Sequence, residues 1–401
     1  MEASSAIECC SLARTLWLNS TNESELKKVE ELYRQALETY EKGELSTVED
    51  HPAKRSRKLM LKPFKSYEEY ASAGEKLALL LCQSGRPKEA KRLLRSLGFI
   101  CRLSSSVLDY PAIEQEEHHV VATISDCEST ECPCIIIDNF LASNTMCFLK
   151  SNFEDLTASY WSDNAYQVEP PSPYFSFVLP IDRALSNYGI LGSLISQIYN
   201  CVLLRTKFSG LSSAKYVEMW AHNRPHASGH QMHFDSDDEG RGGVRNPVMS
   251  TIVYVTAGSG GPSLITSQAF GDCHLAQKGW LCHPKEKRLV AFDGRFLHGV
   301  IPGKKVSTGG RRVTLMLAFW ADIDIRREKG LGSSRPFPTH KPWAEKLLKE
   351  CKYSFSSDDG CNSDLAEITP IPVPCVYETL DGKPWSKGMG LPSYDQVFQW
   401  F

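Results

Sequence analysis

The chain has 401 residues, of which 42% are hydrophobic and 23% are charged, so it has enough apolar material for two or three folded units. Its net charge of -3 gives no overall reason to expect a nucleic-acid or acidic-membrane partner. No basic segment followed by an apolar one is seen near the first residue, and no apolar run approaches the length that spans a bilayer. These features predict an intracellular protein, cytoplasmic or nuclear, and they leave the oligomeric state open.

The first part of the chain is predicted to be helical. Residues 1–22 are expected to form a flexible N-terminus and residues 23–104 a helical region. Apolar side chains recur at helical spacing from Leu26 to Tyr40, and Gly43 is the predicted end of that helix.

A second and a third helix are predicted further along the helical region. Ser66 and Glu69 form a capping-box pattern before the second. Pro87 suits the first turn of the third, and Gly98 suits its end. The segment EKLALLLCQSGRPKEAKRLLRSLGF resembles a tetratricopeptide-type helix pair, with small residues at the packing face.

Two polar segments are expected to lie outside this helical packing. The basic run from Lys54 to Lys58 fits either a nuclear-import patch or a solvated loop, and the loop is the more common outcome for so short a run. Residues 105–130 are polar and lack periodicity, which predicts a linker.

The next region, residues 131–326, is predicted to be rich in β-strands separated by Gly, Pro, Asn and Asp. A helix is expected near residues 146–156. Many short strands favour a sandwich, jelly roll or barrel. The predicted strands lie near residues 135–137, 174–179, 216–221, 250–256, 288–292 and 313–320.

Residues 327–401 are predicted to form a C-terminal extension that packs on the core. It contains one short helix from Trp343 to Leu348. Its final aromatic cluster is expected to pack back onto the body, and the members are Tyr394, Phe398, Trp400 and Phe401.

The fourteen cysteines are scattered through a large chain and are predicted to be reduced thiols. Cys127, Cys132 and Cys134 fall close together and offer three ligands for zinc. No second CxxC or HxxxH half follows at a familiar spacing, so free thiols are the favoured interpretation.

The segment GHQMHFDSD carries the clearest chemical signal. His233 and Asp235 are two residues apart, so on an extended strand both side chains point to one face and can grip one ion. The segment FDGRFLHGVIP supplies His298 as a third ligand. Two imidazoles and one carboxylate leave coordination positions open and suit iron(II), whereas structural zinc sites are closed by more thiolates or imidazoles.

The span from about Cys134 to Trp320 resembles the prolyl-4-hydroxylase-like branch of the iron(II)/2-oxoglutarate-dependent oxygenases. CIIIDNFLASNTMCFLK is similar to the strand and helix that open that fold, and KYVEMWAHNRPHASGHQMHFDSD to its approach strand and HxD turn. STIVYVTAGSGGPSLI is similar to the next strand and its Gly-Gly hairpin, and KRLVAFDGRFLHGVIP to the strand of the distal histidine.

The resemblance implies an α+β protein in which a small all-α region precedes a catalytic domain built as a double-stranded β-helix, or jelly roll. It implies iron(II) (Fe2+) held by His233, Asp235 and His298, with 2-oxoglutarate and O2 as cosubstrates and ascorbate as an accessory reductant. The implied reaction releases succinate and CO2 and oxidises a C–H bond of a substrate.

A cation is needed to hold the far carboxylate of 2-oxoglutarate, and Arg312 is the predicted residue. Arginine pairs with a carboxylate through two parallel hydrogen bonds. Arg312 and Thr314 share one face of a strand, so both can reach the same carboxylate, whereas Arg311 is expected to point outward.

Three further histidines precede the HxD motif at helical spacing. His222, His226 and His230 fit either a second metal site or loop positions near the mouth of the pocket. Pro225 and Gly229 argue against a helix there, which favours the loop.

Three functions remain open. The leading one is an active dioxygenase that hydroxylates a protein side chain, with demethylation not distinguished from hydroxylation. The alternatives are an oxygenase acting on a small molecule, and an inactive interaction protein that keeps the fold. The helical region is expected to dock on the oxygenase domain and to help recognise a macromolecular substrate.

Overall fold

A computed structural model of the chain describes residues 5–48, 67–111, 132–168, 174–181, 185–205, 208, 210–237, 244–306, 309–325, 334–349, 365, 367–383, 385 and 390–399. Within these ranges there are nine α-helices and sixteen β-strands. Several sequence predictions rest on residues outside these ranges, namely the run from Lys54 to Lys58, Ser66, Cys127, Trp400 and Phe401.

Four helices open the chain: α1 (Ala6–Asn19), α2 (Glu23–Val48), α3 (Tyr67–Gln83) and α4 (Pro87–Ser96). The elements that follow, in chain order, are β1 (Cys101–Leu103), α5 (Ser105–Leu108), β2 (Cys134–Ile137), α6 (Ser143–Phe153), α7 (Ser159–Asp163), β3 (Ser176–Pro180), α8 (Gly189–Leu203), β4 (Tyr216–Pro225), β5 (His230–His233), β6 (Met249–Tyr254), β7 (Ser263–Ala269), β8 (Gly279–Cys282), β9 (Leu289–Phe292), β10 (Phe296–Val300), β11 (Arg311–Trp320), β12 (Ser334–Pro336), α9 (Pro342–Leu347), β13 (Glu367–Ile368), β14 (Ile371–Val373), β15 (Tyr377–Thr379) and β16 (Val397–Phe398).

The expectation of a flexible N-terminus over residues 1–22 is wrong for its described part, because helix α1 occupies most of it. Ser5 and Glu8 form a reciprocal capping box that satisfies backbone N–H groups at the start of the helix. Trp17 is buried and meets Tyr33 of α2 edge to face, with ring centroids 6.2 Å apart. Tertiary packing therefore orders this segment.

The predicted end of α2 at Gly43 is also wrong, since the helix continues to Val48. A single glycine costs a helix only about 1 kcal/mol, which the hydrogen bonds of a long helix outweigh. Pro87 does begin α4, and Gly98 follows its end with a positive φ of 92°. The likeness of α3 and α4 to a tetratricopeptide pair stays a prediction.

Two large sheets form the centre of the molecule, and the predicted mixed α+β class is confirmed. One has eight strands in the order β12-β3-β4-β11-β6-β9-β2-β13, and the other has five in the order β14-β8-β7-β10-β5. All six predicted strands exist, with ends shifted by up to four residues. The predicted helix near residues 146–156 is α6 and begins three residues earlier.

The eight-stranded sheet has two different faces, which β11 illustrates. Val313, Leu315, Leu317 and Phe319 pack into the apolar core beneath helices α6 to α9. The alternate residues, including Met316, Ala318 and Trp320, belong to a separate cluster that also contains side chains of the five-stranded sheet. This second face, here called the inner face, therefore looks into the space between the sheets.

The outer side of the five-stranded sheet is covered by the N-terminal helices. One continuous apolar core joins residues of α1 to α5 with Leu264, Leu281 and Ile301. Gln83 donates from Nε2 to the backbone oxygen of Pro302 at 3.0 Å, and Tyr110 donates to the same oxygen at 3.3 Å. The expected docking of the helices on the β-rich region is thus borne out by these contacts.

The expected linker over residues 105–130 is wrong at its start, because α5 occupies Ser105–Leu108. Val107 and Leu108 are fully buried in the core shared with the helices. The surrounding sequence is polar, but the single turn of α5 directs these two apolar side chains into the core. Residues 112–131 lie outside the described part.

The C-terminal extension returns to the start of the molecule. Strands β15 and β16 flank β1 in a three-stranded sheet, and helix α9 corresponds to the predicted short helix. Phe398 is fully buried and meets Phe99 with ring centroids 5.7 Å apart, as expected for the final aromatic cluster. In the described part of the chain, no helix is long and apolar enough to cross a membrane.

Candidate metal centre

His233, Asp235 and His298 come together between the two sheets. His233 ends β5 and lies directly opposite His298 of β10 in the antiparallel register, so the two imidazoles project from one face. Their ring centroids are 4.3 Å apart. Asp235 Oδ1 lies 3.5 Å from Nε2 of His233 and 3.7 Å from Nε2 of His298. One ligand atom from each residue lies within 4.8 Å of the others, which suits a single ion.

Backbone carbonyl groups orient both imidazoles. Nδ1 of His233 lies 2.8 Å from the oxygen of Gln231, and Nδ1 of His298 lies 3.0 Å from the oxygen of Phe296. A carbonyl can only accept, so each Nδ1 carries the proton and each Nε2 keeps its lone pair facing the centre. Metal-binding histidines are usually held in this way.

Asp235 is buried, at 9% exposure, and is fixed by two neighbours. Ser250 donates its hydroxyl to Oδ2 at 2.6 Å, and Asn246 donates Nδ2 to the backbone oxygen at 2.7 Å. Burial opposes ionisation, but the adjacent imidazoles of His298 and His233 outweigh it and hold the pKa of Asp235 well below its usual range. Asp235 is therefore a carboxylate with Oδ1 directed at the histidines.

The two histidines differ in their electrostatics. Burial lowers the pKa of His298 to about 4, so its imidazole is neutral and ready to coordinate. Burial also disfavours the charge on His233, but its hydrogen bond to Asp235 raises the pKa of His233 overall.

Arg312 and Thr314 lie on the inner face of β11, as the alternation predicts. Arg312 is 2% exposed, donates to Ser263 Oγ at 3.0 Å and lies over the ring of Tyr254. Among the described residues, neither Nε of Arg312 nor Oγ1 of Thr314 has a hydrogen-bond partner. Two buried polar groups on one face are thus free to bind a ligand.

Arg311 faces the opposite side of β11. Its guanidinium donates to the side-chain and backbone oxygens of Asn223, the latter at 2.8 Å. The strand alternation is therefore confirmed, but Arg311 is half-buried against Asn223 rather than free in solvent.

The loop expected around His222, His226 and His230 is wrong for two of them. His222 lies within β4 and His230 begins β5, and their rings are 5.3 Å apart. His230 also stacks on His233, with centroids 4.5 Å apart. His226 does lie in the intervening turn, where it accepts from the N–H of Gly260 and contacts the oxygen of Lys304.

Arg224 and His222 extend the polar surface beside the metal centre. Sequence reasoning did not single out Arg224, and it placed His222 only in a loop near the mouth of the pocket. Arg224 is paired with Arg312 across β4 and β11, and His222 with Thr314. Nε of Arg224 and Nδ1 of His222 are buried without a partner in the described part of the chain. The alternation along β4 is the signal that would have placed both on one face.

No protein-family model matches the sequence, and no curated protein is significantly similar to it. Among solved structures, it is similar to a prolyl-4-hydroxylase from Pseudomonas putida, at 17% identity over 47% of this chain and 92% of that one, with a TM-score of 0.30. An oxidoreductase of the 2OG-Fe(II) oxygenase family from Burkholderia pseudomallei is 11% identical over 51% of this chain and 89% of that one, with a TM-score of 0.26. HygX from Streptomyces hygroscopicus, solved with nickel and 2-oxoglutarate bound, is 11% identical over 51% and 91%, with a TM-score of 0.25. Likenesses of this degree leave the assignment of function to the geometry of the site.

Proposed function

We propose that the protein is an iron(II)- and 2-oxoglutarate-dependent dioxygenase. The observation that carries the proposal is the cluster of His233, Asp235 and His298, in which Asp235 and His298 are buried and His233 is partly exposed. Beside it lies a second group of buried, unpartnered polar atoms headed by Arg312. The metal ligands come mainly from the five-stranded sheet and the anion-binding residues from β11 of the eight-stranded sheet, and this reaction requires both halves.

The three ligands fit iron(II). Nε2 of His298 is buried and has no hydrogen-bond partner among the described residues, which is costly for a polar atom unless something binds it. Two imidazoles and a carboxylate on one side of an ion leave the opposite positions open, as in non-haem iron(II) oxygenases. Iron at these residues would supply the activation of O2.

Arg312 and Thr314 fit the distal carboxylate of 2-oxoglutarate. A carboxylate accepts hydrogen bonds from a guanidinium and a hydroxyl, and burial strengthens these bonds because water does not compete. Tyr254 of the neighbouring strand β6 and Ser263 of β7 in the other sheet hold Arg312 in place. Arg224 adds positive charge, which would favour a doubly charged anion over a neutral ligand.

The proposed reaction consumes 2-oxoglutarate, O2 and a substrate C–H group and forms succinate, CO2 and a hydroxylated substrate. One oxygen atom enters succinate and the other enters the substrate. The chain's own residues hold the cosubstrate, keep Nε2 of both histidines deprotonated and exclude water through the surrounding apolar side chains. Ascorbate would serve as an accessory reductant.

A double-stranded β-helix is the fold proposed for the catalytic region. It would be formed by β4-β11-β6-β9 of the larger sheet and β5-β10-β7-β8 of the smaller one, which face each other around the cluster. The domain division proposed from the sequence places this fold in residues 131–326.

A protein side chain is the proposed substrate, with a small molecule as the alternative. An inactive interaction protein is disfavoured because a buried group of charges with unpartnered atoms destabilises a scaffold without serving it. The proposal includes an intracellular location. It covers hydroxylation and demethylation alike, and it specifies no oligomeric state.

Release of succinate from 2-oxoglutarate tests the proposed function. The full-length protein should release succinate only when iron(II) and O2 are present. Asp235→Ala should abolish this turnover and reduce the iron retained after dialysis, whereas Asp322→Ala, which removes an exposed carboxylate, should do neither. Equal iron content and equal turnover in the Asp235→Ala protein would show that the ligand set is wrong.

A further inference from the structure

A buried carboxylate outside the metal cluster, Glu218, has no role in the chemistry proposed above. It is the third residue of β4 and is 4% exposed. Its register partners are Val178 of β3 and Ala318 of β11, which belong to the inner-face cluster. Glu218 therefore points into the space between the sheets, on the same face of the eight-stranded sheet as the metal centre.

Glu218 is held by hydroxyl groups alone within the described part of the chain. Ser176 donates to Oε1 at 2.5 Å and Ser334 donates to the same oxygen at 3.1 Å. No lysine or arginine of the described ranges forms an ion pair with it. Burial, with a further contribution from the charge of Asp235, raises the pKa of Glu218 to about 7. A nearby positive charge would restore the ionised form.

Aromatic side chains occupy the inner-face positions next to this carboxylate on β4 and β11. Tyr216 and Trp220 flank Glu218 along β4, two residues away on either side. Trp320 follows Ala318 on the facing strand, and its indole N–H is buried without a partner among the described residues. Tyr174 meets Trp220 with ring centroids 6.1 Å apart and is 49% exposed, so the group reaches solvent at this end.

The position of Glu218 relative to the metal ligands follows from the strand register. Ala318 lies between Glu218 and Ser250, the residue that donates to Asp235. Two strand spacings separate Glu218 from Ser250, or about 10 Å between Cα atoms. Because the side chain of Ala318 is small, it does not form a barrier between Glu218 and Ser250.

The inner face is therefore electrically polarised along its length. Arg224 and Arg312 are paired at one end, and Glu218 is six residues from Arg224 along β4, or about 20 Å. The metal centre adjoins the acidic end, because Ser250, which donates to Asp235, lies in the same strand row as Glu218. An anionic cosubstrate suits the arginine end, which leaves the acidic, aromatic end for the other reactant.

We propose that Glu218, with Trp220, Trp320, Tyr174 and Tyr216, binds a cationic group of the substrate, an alkylammonium or a guanidinium. Aromatic faces and a carboxylate together are the groups that attract organic cations. The inference rests on the proposed function and specifies its substrate class: a lysine- or arginine-type side chain, or a small amine or guanidine. The competing explanation is that Glu218 only ties β12 to β3 and β4 through the two serines.

Binding of defined probes separates these explanations without relying on turnover. Ligand-observed NMR on the full-length protein would compare N-acetyl-arginine amide and N-acetyl-lysine amide with N-acetyl-citrulline amide, which matches arginine in shape but is uncharged. The cationic probes should bind more tightly than citrulline, and Glu218→Gln should weaken them on the order of tenfold or more. Glu154→Gln makes the same change in net charge at an exposed site and should leave the preference intact.

Equal binding of arginine and citrulline by the unmodified protein would overturn the inference, and this comparison does not depend on a variant that folds. An unchanged preference in Glu218→Gln would overturn it as well, since glutamine keeps the oxygen that accepts from the serines. Peptides containing arginine or citrulline should then differ in how far they stimulate succinate release above each variant's own basal rate. Absence of basal release would count against the proposed function, while the NMR comparison still decides the cation site.

Discussion

Arg312 and Arg311 are adjacent arginines that the strand directs to opposite faces, which makes them a matched pair. Arg312→Ala should raise the concentration of 2-oxoglutarate needed for half-maximal turnover by tens- to thousands-fold. Removing one partner of a desolvated charge pair costs about 2–5 kcal/mol. Arg311→Ala should leave this concentration nearly unchanged and lower stability, because it removes hydrogen bonds to Asn223. Similar increases in the KM for 2-oxoglutarate in both variants would contradict the assignment.

Asp138 forms a buried ion pair that has no part in the proposed chemistry. Its carboxylate accepts from Nε of Arg288 at 2.6 Å and from Lys285 at 2.8 Å, and Arg288 is 2% exposed. Asp138→Asn would remove the negative charge beside the Arg288 guanidinium and should lower the free energy of unfolding by about 3 kcal/mol. Lys285→Ala, which removes a half-exposed partner, should cost about 1 kcal/mol or less. Urea unfolding at neutral pH measures both variants, and equal losses of unfolding free energy in Asp138→Asn and Lys285→Ala would refute this ranking.

The effect of Asp138 should also depend on pH. Burial opposes its ionisation, but hydrogen bonds and charges from Arg288 and Lys285 outweigh burial and lower the pKa of Asp138. A lowered native pKa stabilises the fold above the ordinary aspartate pKa of about 4, and this contribution is lost as the pH falls through the native value. The difference in unfolding free energy between the unmodified protein and Asp138→Asn should therefore narrow below about pH 4. A difference that widens there would have the wrong sign.

At the level of elements, the N-terminal helices cover the outer side of the five-stranded sheet. Removing residues 1–111 would expose Leu264, Leu281 and Ile301 together, and a contiguous apolar surface of this kind promotes aggregation. We expect the truncated protein to be insoluble or aggregated in size-exclusion chromatography. Removing residues 1–20 alone deletes α1, which packs mainly on α2, and should yield a soluble but less stable protein.

The truncation also bears on the expectation that these helices recognise a macromolecular substrate, which stays a prediction. A soluble, folded protein lacking residues 1–111 that still releases succinate would show that the helices are not structural cover. Loss of substrate hydroxylation in such a protein, with succinate release retained, would support their role in recognition.

For the whole molecule, ligands that bind only the folded state should raise its stability. Iron(II) with 2-oxoglutarate, added without O2, should raise the midpoint of thermal unfolding. At a free ligand concentration of about one hundred times the Kd, the gain is about 2.7 kcal/mol. Asp235→Ala should lose the response to iron, and Arg312→Ala should lose mainly the additional response to 2-oxoglutarate. A shift of the same size in all three proteins would indicate binding elsewhere.

The sequence by itself determined the parts of this protein that depend on short spacing and strand alternation. His233 and Asp235 reach one site because they are two residues apart at the end of β5, and Arg312 and Thr314 share a face of β11 by strand alternation. The strands were also predictable, since β-branched and aromatic runs between Gly and Pro have few other stable forms.

Only the tertiary structure decided which strands meet, because pairing between distant segments leaves little local trace in a sequence. Register between β4 and β11 places His222 beside Thr314 and brings Glu218 to the row of Ser250. Helix α1 is ordered, and α2 continues past Gly43, because of packing against distant parts of the chain. A short stretch of sequence does not contain that information. A helix of modest propensity is stable when its apolar face finds a partner, and that partner is fixed by the fold of the whole chain.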